Sequence, residues 1–176
     1  MDWEVEDLMA LAKSMGGSYY LVALIAEFAW LTGQRRQDIL KLHASQITDS
    51  GIQFKPQKIK RGEIPITIQM DWSTKLRACV DQVKAILRKT SSMMVFSNQS
   101  GHAYTDSGFK AIWNRLQVAY AKQGGERFHF HDLRAKYVTD KEARGEDSTL
   151  GTGHKNRATV ERTYDRRRVR KATPAG

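Results

Sequence analysis

A histidine and an arginine stand three positions apart in FHFHDLR, residues 128–134, in a chain that holds only five histidines. On a helix, positions i and i+3 share a face, so His131 and Arg134 can reach one ligand. Arginine offers a planar fork of donors suited to phosphate oxygens, and histidine can donate, accept or move a proton near neutral pH. Alone, His-x-x-Arg also describes a surface salt-bridging pair. Three more places add to it. Thr32-Gly33-Gln34-Arg35 sets an arginine directly behind a helix break, where the free N–H groups of the next helix favour an anion. Lys58 falls in a hairpin, from which a flexible ammonium can reach over a bound backbone. Gly153-His154, followed ten residues later by Tyr164, adds a donor and a hydroxyl able to act as a nucleophile.

These residues need elements to carry them. WEVEDLMALAKS reads as a short amphipathic helix, and YYLVALIAEFAWL, with Tyr20, Leu24, Ile25, Phe28 and Leu31 at helical spacing, as a buried one ended by Thr32-Gly33. QDILKLHASQI predicts a new helix running toward a strand near Ile47. GIQFKP and EIPITIQ alternate with period two around KIKRG, with Gly62 as the turn residue, and predict an antiparallel hairpin. Ser73 is placed to cap a helix with the stripe Leu76, Val80, Val83 and Leu87. Thr105 or Asp106 can cap another, with Phe109, Ile112, Trp113, Leu116 and Tyr120 inside and Gly124-Gly125 at its end. LRAKYVTDKEAR continues as a helix to Gly145, and ATVERTY predicts a last one before the basic segment 165–176. The fold class expected is mainly α with a small antiparallel β-sheet (α+β), in a single domain over 1–176.

Composition narrows the partner. Lys and Arg number 29 against 19 Asp and Glu, for a net charge of +10. Residues 1–31 carry −4 and residues 155–176 carry +6, which leaves +8 on residues 32–154. A basic body behind an acidic first helix suits a polyanion, most simply nucleic acid, although a solvated basic surface has the same composition. The longest apolar run, LVALIAEFAWL, contains Glu27 and falls short of the roughly twenty residues of a membrane span, so no membrane role is expected. One cysteine, Cys79, excludes an internal disulfide and a Cys-rich zinc site and fits a reducing, cytoplasmic compartment.

Taken in order, TGQRRQDILKL, QKIKRGEIPI, HDLR, GH and ERTY resemble the tyrosine recombinase family, the phage integrases and their relatives. The resemblance spans nearly the whole chain as the family's catalytic domain. It implies that Arg35 is the first catalytic arginine, Lys58 the hairpin lysine, His131 and Arg134 the His-x-x-Arg pair, His154 the later histidine and Tyr164 the nucleophile. Asp38 matches an acidic position that supports the arginine. The implied reaction uses no metal and no cofactor: tyrosine attacks a phosphodiester of double-stranded DNA, leaving a 3′-phosphotyrosine and a free 5′-hydroxyl, and a second strand's hydroxyl reverses the step. Arg35, Arg134 and His154 would neutralise charge on the nonbridging oxygens. His131 would orient or deprotonate Tyr164, and Lys58 would protonate the leaving oxygen. The implied setting is integration and excision at attachment sites by a homotetramer on DNA, with room for accessory DNA-bending proteins.

Competing assignments are few. Arg36 adjoins Arg35, but the TG-x-R spacing favours Arg35; Lys60 and Arg61 share the hairpin with Lys58. His129 has no arginine three residues on and reads as packing or a local hydrogen bond, and His43 and His102 as structural or surface residues. Tyr19, Tyr20, Tyr104, Tyr120 and Tyr137 fall on apolar faces or in loops without a basic cluster behind them. Departures from the family's pattern are Thr152 at a normally apolar place in LGTGH, one extra residue between His154 and Tyr164, and AKYVTD in place of an apolar run. The family's N-terminal core-binding and arm-binding domains have no counterpart in these residues, so a catalytic fragment is expected. A type IB topoisomerase shares the chemistry without exchanging partners, and a noncatalytic DNA-binding module would keep only the basic groove.

Overall fold

The computed structural model describes residues 2–55, 67–86 and 89–152. Its elements are α1 (Asp2–Met15), α2 (Gly17–Thr32), α3 (Arg36–Leu40), β1 (Gly51–Phe54), β2 (Ile68–Asp71), α4 (Thr74–Ala85), α5 (Asp106–Lys122), α6 (Asp132–Ala143) and α7 (Ser148–Thr152). This is the mainly helical fold with a small sheet that the sequence patterning predicts. Among the described residues, no helix is long and apolar enough to cross a membrane.

α2 is the axis of the core. Residues Leu21 to Ala26, with Phe28 and Ala29, are buried all round the helix, as expected of a segment that is apolar on every face. It packs against α1, α4, α5 and α6. The hairpin strands pair antiparallel in the register Gly51 opposite Asp71 and Phe54 opposite Ile68. Phe54 meets Phe28 edge-on at 6.1 Å, which seats β1 on the central helix. Lys58 and the turn residue Gly62 lie outside the described residues.

Both expected helix caps form. Ser73 Oγ accepts from Leu76 N at 3.1 Å and Thr105 Oγ1 from Gly108 N at 3.1 Å, so Thr105 rather than Asp106 caps α5. Cys79 joins the buried stripe of α4, and Leu87 lies outside the described residues.

The long helix predicted over QDILKLHASQI is instead a single turn. α3 stops at Leu40 because the backbone beyond it pairs elsewhere: Val95 N donates to Leu42 O at 2.9 Å and Ala44 N to Met93 O at 2.7 Å. His43 is extended there, accepting from Ser45 N while Gln46 Oε1 accepts from His43 N at 2.9 Å. A new 3₁₀ turn over Ala44–Gln46 follows. Pairing with the segment around Met93 thus overrides the helical periodicity, and His43 has the structural role expected of it.

Candidate active-site cleft

The FHFH alternation positions His131. Phe130 meets Phe109 at 5.0 Å and Trp113 at 5.4 Å, both edge-on, and Phe128 meets Trp113 at 5.6 Å. Both phenylalanines face α5, so the intervening His129 and the following His131 are exposed on the opposite side. His129 keeps a local bond, its N–H donating to Asp132 Oδ2 at 2.9 Å. His131 then opens α6 in a helical conformation, with Arg134 N donating back to His131 O at 3.1 Å.

Arg35 is set by the end of α2. Gly33 closes that helix in the left-handed region, φ 65° and ψ 13°, its N–H donating to Ala29 O at 2.8 Å. Arg35 follows in an extended conformation and its carbonyl accepts from Asp38 N at 3.0 Å and Ile39 N at 3.1 Å. Because α3 is one turn long, anion attraction here rests on side chains more than on a summed helix dipole.

Arg134 is the buried hub, 2% exposed. Its Nη1 donates to Gly33 O and its Nη2 to Thr152 O, the latter at 2.9 Å, so one guanidinium ties the Arg35 turn to the end of α7. Both bonds are charge-assisted and shielded from water. A cleft of about 310 Å³ opens beside it, lined by Arg35, Arg36, His131, Arg134, Gln34 and Gln37 over Ala29 and Phe130. Three sequence-predicted residues from two distant segments therefore share one cavity. Lys58, His154 and Tyr164 lie outside the described residues.

The Phage integrase family profile matches residues 2–170. The chain belongs to the phage integrase family. No curated protein sequence matches it. Among solved structures, it is similar to a lambda integrase dimer bound to a COC′ core site, at 19% identity and TM-score 0.70 over 98% of this chain and 61% of the other. A lambda integrase tetramer bound to a Holliday junction gives 19% and 0.71 over 99% and 50%. The lambda integrase catalytic core gives 20% and 0.64 over 86% and 92%. The chain thus spans 61% and 50% of the two DNA-bound chains and 92% of the catalytic core.

Within this integrase-family chain, the neighbour Arg36 also lines the cleft and is held there by partners of its own. Its guanidinium pairs with Asp106 and lies 5.8 Å from the centroid of Phe109. Lys110 and Arg36 together hold the Asp106 carboxyl below its ordinary pKa, the hydrogen bond from Lys110 contributing most. The polar AKYVTD stretch is satisfied internally. Lys136, 7% exposed, bonds Asp140 at 3.0 and 3.1 Å and lies 4.9 Å over the Trp30 ring, while Trp30 Nε1 donates to Asp140 Oδ2 at 2.8 Å.

Tyr137 departs from its expected isolation from basic groups. Burial pushes its phenol up to about 12; Glu146 and Asp147 act in the same direction, and the nearby Arg134 and Arg144 oppose them. Its ring fits between two glycines: a Cβ on Gly33 would lie 2.7 Å from Tyr137 Cγ, and one on Gly151 2.8 Å from Tyr137 Cζ. Thr152, at the normally apolar place, is 1% exposed and bonds Ser148 O through its hydroxyl at 2.9 Å, so the helix absorbs its polarity.

Sequence reasoning missed Gln34, Tyr137 and α7. Gln34 carried no signal beyond adjacency to Arg35, whereas in FHFH the two histidines are exposed and the two phenylalanines pack against α5. A larger hollow of about 520 Å³ is bordered by Trp30, Ser73, Tyr137 and Arg144. Its cations are taken up, Arg144 by Glu146 at 2.7 Å and Lys75 over Trp30 at 5.7 Å, which makes it a poorer phosphate site than the Arg35 cleft. Among the described residues, no group of three or more His, Cys, Asp or Glu could hold a metal ion.

Proposed function

We propose that the chain is the catalytic domain of a site-specific DNA recombinase that cleaves and rejoins double-stranded DNA through a 3′-phosphotyrosine. The observation that carries this reading is the shared cleft of Arg35, His131 and Arg134 in a phage integrase family chain. A phosphodiester seated there meets two cations and an imidazole, which is what a phosphoryl-transfer transition state requires.

In the proposed reaction, the Tyr164 oxygen attacks phosphorus as its proton passes toward His131, and the bond to the 5′-oxygen breaks as Lys58 protonates that oxygen. Arg35 and Arg134 neutralise the charge that grows on the nonbridging oxygens, with His154 as a further donor. Rejoining by another strand's 5′-hydroxyl releases the tyrosine. Attachment sites of a phage or mobile element are the proposed substrates, inside the cell that holds the target DNA. The DNA-bound dimer and tetramer of lambda integrase support assembly of four copies of the full-length protein on DNA. The near-complete overlap with the lambda integrase catalytic core supports the reading of these residues as one catalytic domain.

A pool of duplex oligonucleotides with randomised centres and a single nick, incubated with the chain in EDTA, tests the reading. Covalent protein–DNA complexes are expected on denaturing gels. Arg35→Ala should lower their rate of formation by about 10³-fold. Arg36→Ala should change that rate only a few-fold and lower stability by about 1 kcal/mol, given its half-exposed ion pair and ring contact. The reverse ranking of the two variants would overturn the assignment of Arg35.

A further inference from the structure

We propose that Gln34 is a positioning residue that anchors the end of α7, and thereby the segment carrying His154 and Tyr164, to the Arg35 turn. This rests on the functional reading above, since it assigns Gln34 a role in presenting those groups.

Gln34 is 5% exposed and lies between the helix-closing Gly33 and Arg35. Its side-chain amide donates to Gly151 O at 2.6 Å. A carbonyl only accepts, so Nε2 must be the atom facing it. Its own N–H reaches Thr32 Oγ1 at 3.4 Å, and Thr32 Oγ1 donates to Phe28 O at 2.7 Å, which ties the residue's backbone to α2.

α7 is five residues long, too short to persist without tertiary contacts. The last carbonyls of any helix have no partner within it. Here two successive ones are taken by residues of the cleft: Gly151 O by Gln34 and Thr152 O by Arg134. The Tyr137 ring, held between Gly33 and Gly151, sets the spacing of the two segments. His154 is two residues beyond Thr152 in the sequence. The point at which the chain leaves toward its proposed nucleophile is therefore fixed, through Gln34, to the residue next to Arg35. A methionine at 34 would keep the length and volume but present no donor to a buried carbonyl.

The test compares the wild-type chain with Gln34→Met. On nicked duplexes recovered from the pool, the single-turnover rate of adduct formation at saturating DNA should fall about 10- to 100-fold. The dissociation constant for the same DNA should stay within two-fold, because Arg35, His131 and Arg134 are untouched. Backbone amides of Ser148–Thr152 should exchange with solvent at least ten-fold faster, and those of α2 should not change. A role confined to general stability would alter exchange in both helices and would not separate rate from affinity. Equal adduct rates for Gln34→Met and wild type would overturn the role of Gln34 alone, as would unchanged exchange in α7. A wild-type chain that forms no adduct with any member of the pool overturns the functional reading, and the role of Gln34 with it.

Discussion

Arg134→Ala should lose both stability and chemistry. Removing the side chain leaves the carbonyls of Gly33 and Thr152 without the donors that Arg134 gives them in a place shielded from water. Each buried acceptor left unsatisfied costs about 1–3 kcal/mol, so the two together cost about 2–6 kcal/mol, and the emptied volume adds to this. For a chain of this length that lowers the melting temperature on the order of 10 °C. The rate of DNA cleavage should drop about 10³- to 10⁵-fold, because the same change removes a cation from the cleft. Arg134→Lys separates the two effects. One ammonium keeps the charge but cannot span the two carbonyls as a planar fork does. It should recover much of the DNA affinity and little of the stability, read by salt-dependent binding and by urea unfolding.

Gly33→Ala should cost about 2–5 kcal/mol for two separable reasons. A residue with a Cβ in the left-handed region loses about 1–2 kcal/mol, and the Cβ would also overlap the Tyr137 ring, a crowding worth about 1–3 kcal/mol. In a Tyr137→Ala background only the first cost should remain, so in a four-protein urea cycle the double variant should be less destabilised than the sum of the single ones by about 1–3 kcal/mol. The change also acts at a distance of two residues on Arg35. A displacement of about 1 Å in that arginine would reduce cleavage roughly 100-fold. Additive costs in the cycle would mean that Tyr137 does not set the geometry of the turn.

The parts of the site that could be read from the sequence are those governed by local rules. A glycine after an apolar helix, a Ser or Thr before one, and a His and Arg three apart each state their geometry within a few residues. Gly33, Ser73, Thr105 and the His131–Arg134 pair form as that logic predicts. What could not be read depends on contacts between distant segments. α3 ends early because Leu42 and Ala44 pair with residues near Met93. Lys136 and Asp140 look like a solvated helix face in the sequence, yet Trp30, from a helix more than a hundred positions earlier, covers them. Likewise, the hold of Gln34 on Gly151 joins residues 117 positions apart, and no periodicity encodes such a pair.

The same distinction explains the two arginines. Arg35 and Arg36 both line the cleft with His131 and Arg134, and what separates them is a contact with a distant segment. Arg36 pairs with Asp106 and lies against the Phe109 ring, which adjacency in the sequence does not encode.

In the proposed reaction a phenol oxygen attacks a phosphodiester held in the Arg35–His131–Arg134 cleft. Its most direct test is to digest the covalent protein–DNA complex formed on nicked duplex in EDTA and identify, by mass spectrometry, the residue that carries the nucleotide. The nucleotide is expected on Tyr164, and Tyr164→Phe should yield no complex. A nucleotide on any other side chain, or a complex of normal yield from Tyr164→Phe, would contradict it.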